Sequence, residues 1–357
     1  MDKITMAHGS GGEETSRLIR DIFAKYLNNP YLDQMEDSTI VPGNPEGSKE
    51  LAVTTDSFVV TPYFYPGGNI GRLAVCGTVN DILMSGAIPR FITLGVILEE
   101  GLPIADLEKI VASVADTARE AGLLVVAGDT KVVENHSGPD GGILINTTGI
   151  GFLRKDSPRL LSSSIRAGDK VIVSGCMGDH HAAILGRRMQ INNDIVSDNA
   201  PLCGMVNALM NSGIRVHELR DVTRGGLATV LHEFAMASSR VITLEEDAIP
   251  VSAAVQSFAG ILGLDPLYMG NEGKLVAIVA GEDAELALEL IRNSPYGEAA
   301  AIIGEVSDPL EREASAPPDA AHEDEQGVSR GALILRTWIG GERVLGPLYG
   351  EGLPRIC

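Results

Sequence analysis

The sequence has few cysteines, few aromatic residues and no long apolar run. Its four cysteines (Cys76, Cys176, Cys203 and Cys357) are spread over 357 residues without a Cys-x-x-Cys pair. This spacing fits neither a disulfide framework nor a zinc ribbon. The apolar stretches are far shorter than the roughly 20 residues of a membrane-spanning helix, and the first residues lack the pattern of a secretory signal. We therefore expect a protein of the reducing cytoplasm, without a membrane partner.

Positive charge is also scarce. The chain has 28 basic and 48 acidic side chains, which give a net charge of −20. Nucleic acids are bound through clustered Lys and Arg, so this balance argues against a nucleic-acid partner. The length suits two or three domains, and a hydrophobic content of 44% is enough for a full core.

Strand and helix patterns alternate along the chain and restart near residue 160. Strands are predicted over residues 51–55, 91–98, 123–127 and 142–152, with helices over 69–85 and 104–121 between them. We predict an α/β (α+β) protein with an N-terminal domain over residues 1–155 and a C-terminal domain over 156–345. Residues 308–330 are rich in Ala, Pro, Asp and Glu, a composition typical of a disordered insert. Residues 346–357 are expected to form a mobile tail.

The two common nucleotide-binding sequence motifs are absent from the sequence. There is no Walker A loop and no G-x-G-x-x-G unit between a strand and a helix. The glycine-rich loop near the start is one alternative, because glycines let backbone amides approach phosphate before a helix N-terminus. A second turn with paired glycines follows Asp221. The candidate residues are His8, Gly9, Ser10, Gly11 and Gly12 in the first loop, and Thr223, Arg224, Gly225 and Gly226 in the second. A flexible turn and a helix N-cap are the alternative interpretations.

Three aspartates indicate a metal–phosphate site. Asp56 and Asp129 follow predicted strands, and Asp81 interrupts an otherwise apolar helix. Carboxylates at strand ends are placed to converge, and Mg²⁺ prefers hard oxygen ligands together with substrate phosphates. Helix capping and turn formation are the alternatives for each aspartate. Lys131, close to Asp129, is a candidate for screening phosphate charge or assisting proton transfer, and a solvated surface lysine is the alternative. Glu272 is either a general base or part of an ordinary turn.

Cys357 has no packing role to explain it, whereas the other three cysteines are expected to be small buried hydrophobes. It follows a stretch that contains Gly352 and Pro354. A thiol on such an arm is suited to being loaded at one site and moved to another. A chance terminal cysteine is the alternative.

Taken together, these motifs resemble the HypE family of hydrogenase-maturation carbamoyl dehydratases. The resemblance is colinear over nearly the whole chain and also includes Phe64-Tyr-Pro-Gly-Gly-Asn-Ile-Gly71. Its most discriminating piece is Pro354-Arg-Ile-Cys357, which other members of the aminoimidazole ribonucleotide synthetase and selenophosphate synthetase superfamily lack. The resemblance implies a two-domain, aminoimidazole ribonucleotide synthetase-like fold. It also implies a homodimer formed by the N-terminal domains, with ATP near their interface.

The resemblance further implies a reaction. A carbamoyltransferase maturation protein would load a carbamoyl group onto Cys357, and this enzyme would use ATP and Mg²⁺ to dehydrate it to a thiocyanate. The cyano group would pass to iron on a scaffold complex of two maturation proteins, for a [NiFe] hydrogenase. By the same resemblance Asp56, Asp81 and Asp129 would hold Mg²⁺, both glycine-rich turns would bind phosphates, and Glu272 and Lys131 would be the candidate bases.

Two features depart from the family pattern. The insert over residues 308–330 has no counterpart, and Asp37 stands where relatives often carry paired aspartates. Two other enzymes of the superfamily are alternative interpretations. A selenophosphate synthetase would require a reactive Cys in the first glycine-rich loop, which has none. A purine-pathway synthetase would not use Cys357. A non-catalytic scaffold that presents a loaded thiol is the alternative from another class.

Overall fold

The computed structural model describes residues 12–18, 20, 38–42, 50–137, 141–155, 157–309 and 331–348. Residues 8–11 of the first glycine-rich loop, Asp37, residues 310–330 of the insert and Cys357 lie outside the described residues.

The described elements of the first domain are a five-stranded sheet, a two-stranded hairpin and three helices. Its strands are β1 (Thr39–Pro42), β2 (Glu50–Phe58), β3 (Phe64–Tyr65), β4 (Gly68–Asn69), β5 (Ile88–Glu99), β6 (Leu124–Val133) and β7 (Ile143–Phe152). Its helices are α1 (Glu13–Leu18), α2 (Ile70–Met84) and α3 (Ile104–Ala121).

The elements of the second domain begin at residue 170. Its strands are β8 (Lys170–Val173), β9 (Val216–Asp221), β10 (Val241–Glu245), β11 (Leu275–Val279), β12 (Ala301–Ser307), β13 (Ala332–Arg336) and β14 (Glu342–Leu345). Its helices are α4 (Asp179–Arg188), α5 (Cys203–Asn211), α6 (Gly226–Ser238), α7 (Ala253–Leu262) and α8 (Ala284–Arg292).

Each domain is built on one sheet. The first has the order β1-β2-β7-β5-β6, with only β5 and β6 parallel. The second has the order β14-β13-β10-β12-β8-β11-β9, with only β10 and β13 parallel. Helices pack on both sheets, which confirms the α/β (α+β) class. The mainly antiparallel pairing gives the fold its α+β character although strands and helices alternate along the chain.

Helix α2 belongs to the first domain and packs against both domains. Asn69 caps it by accepting hydrogen bonds from the amides of Gly71 and Arg72 at 2.9 and 3.3 Å. Nearly every residue of the helix is buried, as expected for a helix that is apolar all round. One side packs on β2 and β7, and the other shares a core with α5 and β11 of the second domain. A polar residue on α2 is therefore placed at the junction of the domains.

None of the helices within the described ranges is long and apolar enough to cross a membrane.

Candidate functional site

A cavity of about 210 Å³ lies at this junction of the two domains. The first domain contributes Asp56, Ser57, Phe58, Gly77 and Asp81, and the second contributes Asp221, Thr223, Arg224 and Glu272. Five residues that the sequence nominated (Asp56, Asp81, Thr223, Arg224 and Glu272) therefore share one cavity, although up to 216 positions separate them along the chain (272 − 56).

The two aspartates of the first domain are held by threonines in a reciprocal arrangement. Asp56 on β2 accepts a hydrogen bond from the hydroxyl of Thr78 on α2 at 2.9 Å. Asp81 on α2 accepts one from the hydroxyl of Thr54 on β2 at 2.8 Å. Because each carboxylate is oriented by the opposite element, the packing of α2 on β2 sets the direction of both into the cavity.

Partial burial makes an ionised carboxylate in the cavity unfavourable unless positive charge lies near it. Burial raises the pKa of Asp56, while the Thr78 hydrogen bond and the positive charge of Arg224 act in the opposite direction. Arg224 belongs to the other domain, so the closed junction supplies part of the charge that the buried carboxylate needs. A bound cation would supply more.

The wall formed by the second domain depends on its paired glycines. Gly225 and Gly226 have φ values of +82° and +65°, in the left-handed region that favours glycine. A Cβ on Gly226 would lie 2.5 Å from the carbonyl oxygen of Leu267. The turn therefore brings Arg224 to the cavity just before α6 begins at Gly226, an arrangement that suits an anion.

Glu272 closes the cavity from a loop before β11. It is 9% exposed, and its Oε2 would be 4.0 Å from a Cβ on Gly77. That Cβ would also lie 2.8 Å from the ring of Phe58, so the close approach of α2 to the end of β2 favours glycine at position 77. The loop is tied to the Arg224 turn because the Asn271 amide donates to the Val222 carbonyl at 2.9 Å.

Asp129 and Lys131 lie elsewhere. They form an exposed ion pair at 2.8 Å on β6, where the hydrogen bond from Lys131 lowers the pKa of Asp129. β6 is three strands away from β2, a distance of about 14 Å at the usual strand spacing. The strand also runs through Asp129 rather than ending before it, as β2 runs through Asp56. Convergence at strand ends, the reason for grouping the three aspartates, therefore does not operate within one chain.

Gly12, the described end of the first glycine-rich loop, contacts the first residues of the segment predicted as the tail. A Cβ there would lie 2.1 Å from the carbonyl oxygen of Leu348, which also accepts from the Glu13 amide at 3.4 Å. Tyr268 donates to the carbonyl of Gly346 at 3.0 Å. This second anchor packs directly against Gly226.

Sequence reasoning missed several residues of the site. Asp221 stood in a motif that was singled out, but it was not assigned a role. Thr54 and Thr78 had a weak signal in their spacing, since each lies two or three positions before a nominated aspartate. Asn80 belongs to the polar pair Asn80-Asp81 that the sequence singles out, but it was assigned no role, and Asp198 had no such signal. Asp198 lies in an irregular segment far from residue 272.

Comparison with known proteins agrees with this architecture. Residues 35–153 match the N-terminal domain and residues 166–313 the C-terminal domain of the AIR synthase related proteins. The chain is 44% identical, over 99% of its length and 97% of the relative's, to carbamoyl dehydratase HypE of Azotobacter vinelandii.

The chain belongs to the HypE family.

Solved structures of the family have the same fold. A HypE protein in complex with ATP is 43% identical, with a TM-score of 0.77 over 99% of this chain and all of that one. The HypE–HypF complex contains a chain with 41% identity and a TM-score of 0.81, over 93% of this chain and 99% of that one.

Proposed function

We propose that this protein is an ATP-dependent carbamoyl dehydratase of hydrogenase maturation, which converts a carbamoyl group on Cys357 to a thiocyanate. The observation that carries the proposal is the junction cavity, which combines two half-buried aspartates of the first domain with an arginine and a glutamate of the second. This is the set of groups that phosphoryl transfer followed by proton removal requires. Membership of the HypE family, with one member solved in complex with ATP, supports the same conclusion.

The residues fit Mg²⁺ bound together with phosphate. In the part of the chain that the structure describes, no three His, Cys, Asp or Glu side chains are grouped so that they could hold a metal ion. Mg²⁺ commonly takes only one or two carboxylates, with water and substrate phosphates completing its coordination. Asp56 and Asp81 would be those ligands, and the bound ion would neutralise charge on the transferring phosphoryl group.

The remaining residues bind phosphate and move protons. Arg224 and the turn over residues 223–226 contact phosphate oxygens, with the glycine-rich loop over residues 8–12 as a second phosphate contact. The carbamoyl oxygen takes the phosphoryl group and leaves as phosphate, since an unmodified amide oxygen is a poor leaving group. Two N–H protons depart from the nitrogen, so the adduct loses the elements of one water. Glu272 is the proposed base inside the cavity.

The position of the tail's origin supports Cys357 as the carrier. Leu348 contacts Gly12, and Gly346 is bound by Tyr268, which packs on Gly226. The tail therefore begins between the two proposed phosphate-binding turns. Cys357 is nine positions after Leu348, and an extended chain over nine residue steps spans up to about 30 Å. In this proposal the extended tail carries the thiol into the cavity.

A second copy of the chain completes the site in this proposal. β6 is exposed along its whole length, and it carries uncovered apolar residues such as Leu124 and Val132, at 65% and 69% exposure. A face of this kind is typical of a protein interface. Pairing of two N-terminal domains through β6 would bring Asp129 and Lys131 of one copy toward the cavity of the other. Lys131 would then be the second proton-transfer group.

The proposed partners follow from the chemistry of the reaction. A carbamoyltransferase must load Cys357, and the solved HypE–HypF complex supports a partner of that kind. An iron-bearing scaffold complex of two maturation proteins is the proposed acceptor of the cyano group.

Intact-protein mass spectrometry tests the function. After incubation with the carbamoyl donor system, we expect an adduct on Cys357 that loses one water only when both ATP and Mg²⁺ are present. Asp81→Asn is expected to keep the carbamoyl adduct and to block its dehydration. Loss of water without ATP, an adduct on another cysteine, or normal dehydration by Asp81→Asn would contradict the proposal.

A further inference from the structure

The loop that carries Glu272 is held by a buried carboxylate from a distant segment. Asp198 accepts the Glu272 amide on Oδ1 at 3.2 Å and the Gly273 amide on Oδ2 at 3.1 Å. Both of its oxygens are used, and its side chain is 2% exposed. Two charge-assisted hydrogen bonds to successive amides fix the orientation of that piece of backbone.

The packing around these bonds is close. A Cβ on Gly273 would lie 2.0 Å from the Asp198 carbonyl oxygen and 2.8 Å from the Ala200 nitrogen. The residue after Glu272 must therefore be glycine for the two segments to meet. The Ala200 amide also donates to the Glu272 carbonyl, at 3.4 Å.

Helix α2 holds the same loop from the other side. Asn80 is 1% exposed, and its amide group donates to the carbonyl oxygens of Ala200 and Glu272 at 3.1 and 3.4 Å. Its Oδ1 accepts from the Leu202 amide at 2.9 Å. Asn80 is next to Asp81, so one turn of α2 directs a carboxylate into the cavity and anchors the loop of Glu272.

Stability alone is a poor explanation for Asp198. Burial raises the pKa of this carboxyl group, and the nearest cation, Lys274 Nζ, is 3.9 Å away. Burying a charge for the sake of two backbone hydrogen bonds costs free energy that a neutral acceptor would avoid. A requirement for a rigid Glu272 loop would explain why a charged acceptor is buried at position 198.

We propose that Asp198 and Asn80 are positioning residues that hold Glu272 against the junction cavity, in the orientation needed to take a proton from the carbamoyl nitrogen. The inference rests on the proposed function, in which Glu272 is the base. It goes beyond that proposal by assigning the geometry of the base to two residues outside the cavity lining. Small displacements of a catalytic group have large effects, on the order of 100-fold per ångström.

Asp198→Asn is the first test. The side-chain amide keeps one acceptor but turns an NH₂ group toward the second backbone amide, so one of the two hydrogen bonds is lost. We expect the rate constant of dehydration at saturating ATP to fall about 10- to 100-fold. The ATP concentration that gives half this rate should change less than about threefold, because the hydrogen bonds of Asp198 go to the Glu272 loop and not to residues 223–226.

Asp179→Asn is the matched control. Asp179 is a half-buried carboxylate whose charge interacts with Asp198 and Lys274, and its side chain accepts from Ser252 at 3.4 Å rather than from the Glu272 loop. Loss of this negative charge should leave the dehydration rate within about threefold of the wild-type value, since the backbone hydrogen bonds to Asp198 remain.

A double variant separates positioning from general structural damage. If Asp198 acts through Glu272, then Glu272→Gln with Asp198→Asn should dehydrate no more slowly than Glu272→Gln alone. A further decrease by the full Asp198→Asn factor, or a wild-type rate for Asp198→Asn alone, would overturn the inference while leaving the function intact. A wild-type rate for Glu272→Gln would overturn the inference together with the role of Glu272, but not the ATP-dependent loss of water.

Asn80→Ala provides a second route if Asp198→Asn fails to fold, as judged by thermal unfolding. It removes the hydrogen bond that Asn80 donates to the Glu272 carbonyl, together with those to Ala200 and from Leu202. The same result is expected: a slower dehydration step, little change in the ATP requirement, and no added effect in the Glu272→Gln background. A normal rate for a folded Asn80→Ala variant would count against the proposal.

Discussion

At the residue scale, the cavity depends on side chains that orient other side chains. Asp56 and Asp81 were nominated from the sequence because a carboxylate after a strand and one inside an apolar helix suit a metal–phosphate site. Their direction, however, comes from Thr78 and Thr54, which donate hydrogen bonds across the contact between α2 and β2. Threonines are common in strands and helices, so local sequence gives no reason to single out these two.

Asp179 offers a prediction about pH and stability. Burial and the neighbouring Asp198 raise its pKa to about 6. Because the folded state then holds this proton more tightly than the unfolded chain, the free energy of unfolding falls as pH rises from about 4 to about 6. We expect Asp179→Asn to remove this fall. The difference in free energy of unfolding between the variant and the wild type should therefore be about 1 kcal/mol more in favour of the variant near pH 8 than near pH 4.

Urea unfolding of both proteins at the two pH values measures this effect. Asp116→Asn on α3 is a control for the loss of one exposed carboxylate, since its partner Arg119 is equally exposed. An equal difference between Asp179→Asn and the wild type at both pH values would contradict the prediction.

At the element scale, β6 shows where local patterns are insufficient. The sequence predicts a strand over residues 123–127, because Gly128-Asp-Thr-Lys131 is polar and contains a glycine. The structure extends the strand to Val133, since β5 pairs with it in parallel as far as Glu99. Hydrogen bonds from a neighbouring strand override a weak local preference. The result is an exposed edge that carries Asp129 and Lys131.

The exposed edge predicts how the chain associates. Val126 lies on β6 and is 53% exposed, beside a groove of about 480 Å³ that also involves α3. If β6 forms the homodimer interface, Val126→Glu places a charge in it and should convert dimer to monomer. Size-exclusion chromatography with light scattering measures the mass directly.

Ile261→Glu on α7 is the matched control, since Ile261 is 81% exposed on the second domain and its change should leave the dimer intact. A monomeric wild-type protein, or a dimer that tolerates Val126→Glu, would remove β6 from the interface.

At the scale of the whole molecule, the proposed dimer predicts complementation between two inactive variants. Asp81→Asn and Asp129→Asn are each expected to block dehydration. If Asp129 serves the cavity of the other copy, a mixed dimer contains one intact site, built from Asp81 of one chain and Asp129 of the other. Random reassociation of equal amounts should restore about a quarter of wild-type activity, because half of the dimers are mixed and each has one working site.

The same mixture distinguishes a site shared between two copies from a site contained within one chain. A site within one chain would leave every copy defective, and the mixture would stay inactive. Activity of Asp129→Asn by itself would instead remove Asp129 from the reaction.

The sequence by itself determined the class of fold and most of the chemical groups. Its alternating strand and helix patterns located the main strands and helices of the first domain, and its motifs nominated five of the residues that line the cavity. These signals are local: periodicity, glycines in turns, and charged residues in apolar surroundings. The family resemblance rested on the same motifs, and 44% identity to a carbamoyl dehydratase confirms it.

Only the tertiary structure decided which groups act together. The packing of α2 between the domains brings Asp56 and Asp81 to Arg224 and Glu272, while the strand order keeps Asp129 three strands away. It also places Asp198 and Asn80 on the backbone of Glu272. These distances depend on strand pairing and domain packing between residues far apart in the chain, which no local pattern records.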